Sequence, residues 1–284
     1  MSDTTTAPGR LFLTLFDDAA IFPPGDLDVP EAVRAHLARQ ASPLAPLLGP
    51  FICSLPRWGE LTQALEGGSP LPVSLTVPGG AEDVASAVSR ARSEPRVALV
   101  ALEIAASAGT LPGLVATLER HAPSSVHSYV ELPWADVTAS QVAALTAAGL
   151  RLKIRTGGVA ATAFPDERQL AAALWSAVRG DISFKLTAGL HDPIRHRDST
   201  TGFEHHGFLN VMLATARAVE GAAVDAVTAA LADQDGDRVA AAVARIDDSQ
   251  AALVRRHFVS FGTCSVTEPI DGLLHHGLLP EDLR

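Results

Sequence analysis

The feature that most constrains this chain is a rhythm. Short runs rich in β-branched and apolar residues recur, each followed by a Gly/Pro/Ser loop and then an Ala/Leu/Arg-rich amphipathic stretch. Strand-like runs lie at 11–16, 50–55, 72–77, 96–104, 126–132, 151–156, 182–187 and 257–262. Thr138 and Asp166 are placed to cap the helices that follow them. Eight such units predict one (β/α)8 TIM-type barrel over 11–284, with 1–10 as a disordered tail. Strand count alone does not prove closure, so a doubly wound open sheet stays as the alternative. A glycine fingerprint for dinucleotides or a P-loop is missing, which argues against a Rossmann reading.

One stretch breaks the rhythm. About 70 residues separate strands seven and eight. They open as the polar loop GLHDPIRHRDSTTGFEHHG and continue as helices, so an extended helical insertion is expected there. A segment leaving the C-terminal end of a barrel strand sits on the active-site face. The loop at 190–207 is therefore expected to wall the pocket.

Bulk properties narrow the partners. A net charge of −10 and a pI of about 5.4 argue against nucleic acid and anionic membranes. No apolar run reaches the roughly 20 residues that span a bilayer. Only two cysteines, Cys53 and Cys264, fit a reducing cytoplasmic setting without disulfides. Oligomeric state is not fixed, and a homo-oligomer remains open.

The chemistry concentrates on two strands. In RLKIRTGG, Leu152 and Ile154 alternate with Lys153 and Arg155, which puts the cations on the inner face. ISFKLTAG repeats the arrangement around Lys185. Two inward ammonium groups on neighbouring strands repel, and burial adds a desolvation cost; both lower a lysine pKa from about 10.4 toward neutrality. A neutral amine is a nucleophile toward carbonyls. Anion binding by the lysines, or structural pairing with Glu131 or Glu103, are the competing readings. Both glutamates fall on inward positions, from which they could relay protons. Asp17 and Asp18, after strand one, add carboxylates to the rim.

The last three strands resemble deoxyribose-phosphate aldolase and related lysine-dependent barrel aldolases. The residues that match are Lys153, Thr156 and Gly157 in KIRTG, Lys185 and Gly189 in KLTAG, and Gly262 and Ser265 in FVSFGTCS. ICSLP, with Cys53, is similar to that family's second strand. The resemblance implies a cofactor-free class I lyase in which Lys153 forms a Schiff base and Lys185 depresses its pKa. Strand four offers Glu103 where the family carries an aspartate, and Arg155 and Ala188 also depart from its motifs. The expected substrate is a small anionic carbonyl compound, oriented by Arg155, Thr156, Thr187 and the 190–206 loop.

That loop supports a rival. His191, Asp192, His196, Asp198, His205 and His206 crowd together, a composition suited to a metal-dependent hydrolase or isomerase. The spacing matches no metal motif, so the expectation is no metal and a polar lid. In that lid Arg195, Arg197 and His206 contact a carboxylate or phosphate on the substrate, with His191 as a further substrate contact, and His206 shares a helix face with Asn210. DQDGD, at 233–237, reads as a helix–helix turn with Asp237 as N-cap.

Overall fold

A computed structural model describes residues 9–283. Eight parallel strands close into one barrel: β1 (Phe16–Asp18), β2 (Leu48–Ser54), β3 (Leu71–Val77), β4 (Val97–Ala105), β5 (His127–Leu132), β6 (Arg151–Arg155), β7 (Phe184–Thr187) and β10 (Phe258–Thr263). Neighbours around the barrel are sequential, and β10 closes against both β7 and β1. The chain is thus a (β/α)8 barrel. Among the described residues no helix is long and apolar enough to cross a membrane.

Alternation drives the assembly. Leu152, Ile154, Phe184 and Leu186 are fully buried beneath the outer helices. Each such side chain contributes roughly 1.5–3 kcal/mol by leaving water. Helix entry is set locally: Thr138 Oγ accepts the Gln141 N–H, and Asp166 forms a capping box with Gln169 at the start of α6 (Glu167–Arg179). Asp235, not Asp237, caps α9 (Gly236–Ala244), since its carboxylate accepts the Arg238 N–H.

The insertion is helical as expected: α7 (Phe208–Val219), α8 (Val224–Ala232), α9 and α10 (Asp248–His257). Its opening loop forms a small antiparallel hairpin, β8 (His196–Arg197) with β9 (Glu204–His205). α7 is buried almost throughout, forming part of the barrel wall's second layer.

The first strand lies later than the sequence suggests. Arg10–Phe12 form a 3-10 turn, so the expected tail already has structure at Arg10, while residues 1–8 lie outside the described region. Thr14 takes a positive φ of 49°, which interrupts extended backbone before β1. Leu11, Phe12 and Leu15 are apolar because they pack into the core, and only from Phe16 does the chain pair with β10.

Candidate active site

The barrel interior is charged. Branched apolar side chains ordinarily fill such an interior, yet here Asp17, Glu103, Lys153 and Lys185 are all buried within it. Lys153 and Lys185 are register partners on adjacent strands, as the alternation predicts. Strand parity also separates the two aspartates of β1. Asp17 points inward to Lys185 Nζ at 2.5 Å, whereas Asp18 points outward, where His36 and Arg39 of α1 (Val29–Gln40) hold it at 3.0 and 3.3 Å. Asp18 is fully buried and does not reach the mouth, contrary to its expected place on the rim.

The charges form one alternating chain. Lys185 Nζ contacts Asp17 and, at 2.6 Å, Glu103 Oε1. Lys153 Nζ contacts Glu103 Oε2 at 2.7 Å and Glu131 Oε2 at 2.9 Å. Arg155 Nε donates to Glu131 Oε1 at 3.0 Å. Ser74 and Ser260 donate to Glu103 and Asp17. Three carboxylates thus face three cations. The expected opposition of ammonium against ammonium is absent, because Glu103 stands between the two lysines.

Electrostatics follow from that placement. Burial alone would raise the Glu103 carboxyl, but Lys153 and Lys185 outweigh it and hold the group well below its usual range. Glu131 is lowered in the same way by Lys153 and Arg155, against its burial. Burial opposes the Lys185 charge, yet Asp17 and Glu103 keep it above the ordinary lysine value. Lys185 therefore stays an ammonium and is no nucleophile. Asp17 is raised, chiefly by burial, and its Oδ1 has no hydrogen-bond partner among the described residues. Of the three carboxyls it takes a proton most readily.

Access has a direction. Side-chain exposure climbs from 1% at Lys185 to 6% at Lys153, 18% at Glu131 and 51% at Arg155. A cavity of about 280 Å³ opens at that exposed end, lined by Ala105, Glu131, Trp134, Arg155 and Ala163 among others. Trp134 also lies in its wall. Lys185 meets the Tyr129 ring face at 5.4 Å at the sealed end.

The remaining predicted contacts divide. Thr187 lies level with Arg155 and Gly262 on neighbouring strands. Thr156 is buried and donates to the Ala188 carbonyl at 2.5 Å, tying the loop after β6 to that after β7. There Gly157 and Gly189 touch: a Cβ on Gly157 would sit 2.9 Å from Gly189 Cα, and Gly189 takes φ +76°. Ser265 helps start α11 (Thr267–His275) by accepting the Glu268 N–H at 3.4 Å.

The histidine-rich loop is mostly structural. Arg195 is buried and pairs with Glu167 and Glu204, while its N–H donates to Asn210 Oδ1. Asn210 Nδ2 donates to the Ala230 and Asp233 carbonyls. His206, fully buried, bonds the Pro165 carbonyl at 2.8 Å. These three hold the insertion on the barrel; they do not line the cavity. His196 and His205 are cross-strand neighbours in the hairpin, with ring centroids 5.3 Å apart. Among the described residues no three His, Cys, Asp or Glu side chains converge as a metal set. His191, at the start of the loop, contacts Glu268 and Cys264.

Compared with family models, curated proteins and solved structures, the chain matches none, so its functional reading rests on this site.

Proposed function

We propose that the chain is a lyase of the class I aldolase type, acting on a small anionic carbonyl compound through a Schiff base on Lys153. The observation that carries this reading is the position of Lys153: a buried amine held between two carboxylates, one of which, Glu131, lines the cavity together with Arg155. Structure alone does not require this arrangement, because replacing buried ion pairs with apolar side chains is often neutral or stabilising. Ionisable groups arranged at such a cost point to chemistry.

The steps use groups in contact. Once the substrate's anionic group draws Arg155 away, Glu131 loses part of the pairing that lowers it and accepts the proton of the Lys153 ammonium, leaving a lone pair on Nζ. The amine adds to the substrate carbonyl carbon, and the resulting carbinolamine loses water after Glu131 returns the proton to its oxygen. The iminium then draws electrons from the adjacent C–C bond to become an enamine, while the Glu131 carboxylate takes the proton of the β-hydroxyl and an aldehyde leaves. Glu131 gives that proton to the enamine carbon, and water hydrolyses the iminium to free the product and the Lys153 ammonium. Arg155 binds the anionic group at the entrance. Lys185 keeps Glu103 charged and in place.

Borohydride trapping tests the reading. Incubation with 2-oxo acids and phosphorylated aldehydes, followed by reduction, is expected to leave a mass adduct on the Lys153 peptide. Turnover of any of these compounds with Lys153 unmodified would overturn it. A second reading, a non-catalytic anion-binding barrel, is favoured by the double carboxylate clamp on the Lys153 ammonium. It predicts ligand binding that Lys153→Ala abolishes, with no turnover.

A further inference from the structure

A second constellation occupies the same face and involves none of the lysine network. Cys264 lies just past the C-terminal end of β10, and its Sγ is 3.8 Å from His191 Nε2 and 3.9 Å from Nδ1. His191 Nδ1 lies 2.9 Å from Glu268 Oε2. With its Nδ1–H given to the carboxylate, the ring presents a lone pair at Nε2. Glu268 sits in the first turn of α11, where a carboxylate is favoured by the helix dipole. A nucleophile, a base and a group that orients the base are the three parts of an acyl-transfer site.

We propose that Cys264, His191 and Glu268 form a thiol acyl-transfer centre for small thioesters or activated esters. In the first half-reaction Nε2 removes the thiol proton as Sγ adds to the acyl carbon. The collapsing adduct expels the alcohol or thiol, which takes the proton from His191. In the second half-reaction water gives a proton to His191 and adds to the Cys264 thioester. The carboxylic acid leaves, and the thiol is regenerated.

The surroundings support this. Burial raises the Cys264 thiol above its usual range, with a backbone hydrogen bond from Gly25 acting the other way. The resting thiol is therefore neutral and needs a base at the moment of attack, which His191 is placed to be. Sγ lies almost equally far from both ring nitrogens, so the ring must turn to bring Nε2 onto the thiol, a tightening that such contacts often undergo when substrate binds. Gly25 lets the loop after β1 close over the thiol: a Cβ there would lie 3.0 Å from Cys264 Cβ and 2.9 Å from the Ala20 carbonyl oxygen. Cys53 is the internal contrast, fully buried and pushed up to about 12 by desolvation.

The test treats the full-length protein with p-nitrophenyl acetate at neutral pH and follows nitrophenolate release and peptide masses. Acetylation is expected on Cys264 and not on Cys53, faster than on an unstructured cysteine peptide. His191→Asn should slow it at least tenfold and Glu268→Gln several-fold, with helical circular dichroism unchanged. Should the histidine variant misfold, the Glu268→Gln rate decides, because that side chain is largely exposed. A Cys264 rate no faster than the peptide's, or one unaffected by these substitutions, overturns the proposal.

Discussion

β6 and β7 carry the same local pattern, an inward lysine between two outward apolar residues, and pair in register. Their lysines nevertheless live differently. Lys185 is sealed between Asp17, Glu103 and the face of Tyr129. Lys153 shares Glu103 but turns its other side to Glu131, where the cavity begins. Strand alternation decides which side of the sheet a residue faces, whereas its partners come from strands across the barrel. The difference assigns structure to one lysine and chemistry to the other.

The sharpest way to break that division is to remove each charge in turn. Lys185→Met removes the one cation in contact with Asp17 among the described residues and leaves a buried carboxyl that must take up a proton or stay unpaired, at a cost of about 3–5 kcal/mol. Lys153→Met leaves Glu103 with Lys185 and Glu131 with Arg155, so a loss of about 1–2 kcal/mol is expected. Urea unfolding of both variants measures the gap. Equal losses would mean that the two lysines are not divided in this way.

Much of the interior was legible beforehand. The inward positions of Lys153, Lys185, Glu103 and Glu131 follow from a period of two. That Glu103 bridges the lysines does not, because β4 and β7 are separated by two strands and meet only across the closed barrel. The roles of Asp17 and Asp18 were hidden by the misplaced first strand, since one residue of register exchanges the faces. The histidine loop misled for another reason. Titratable residues crowded in sequence suggest a site, yet DSTTG is a turn signal, and Asp198 accepts from Thr200 and Thr201 to close the hairpin. Cys264 carries no catalytic signal in the sequence because neither His191 nor Glu268 stands at any recognised spacing from it.

The contrast between that loop and the interior yields a pH test. His206 is neutral in the fold: one ring nitrogen donates to Pro165, and the other faces Arg195 at 3.4 Å. Burial, with help from Arg195 and against Pro165, Glu167 and Asp166, brings its pKa from 6.5 to about 4. Between those values the unfolded chain holds the proton and the folded chain does not, so stability falls as pH falls. The expected loss from pH 7 to pH 4 is about 3 kcal/mol for this group. Comparing wild type with His206→Gln isolates it from the other histidines. An unchanged pH dependence would return His206 to the list of groups exposed to solvent or ligand.

Arg155 gives the smallest effect on stability and the finest resolution of the site. Its side chain is half exposed, and its one ion pair is with Glu131, which retains Lys153 when the guanidinium is removed. Exposed pairs contribute little, so Arg155→Ala should change the unfolding free energy by no more than about 0.5 kcal/mol. The same substitution should raise KM for an anionic carbonyl substrate at least tenfold, leaving the Lys153 adduct attainable at saturating concentration. Arg155→Lys should restore part of the affinity, because it returns the charge without the planar fork. Denaturation and steady-state kinetics on the two variants separate these outcomes. A stability loss matching that of Lys153→Met would extend the sealed network to the entrance and remove the gradient of exposure as a guide to where substrate enters.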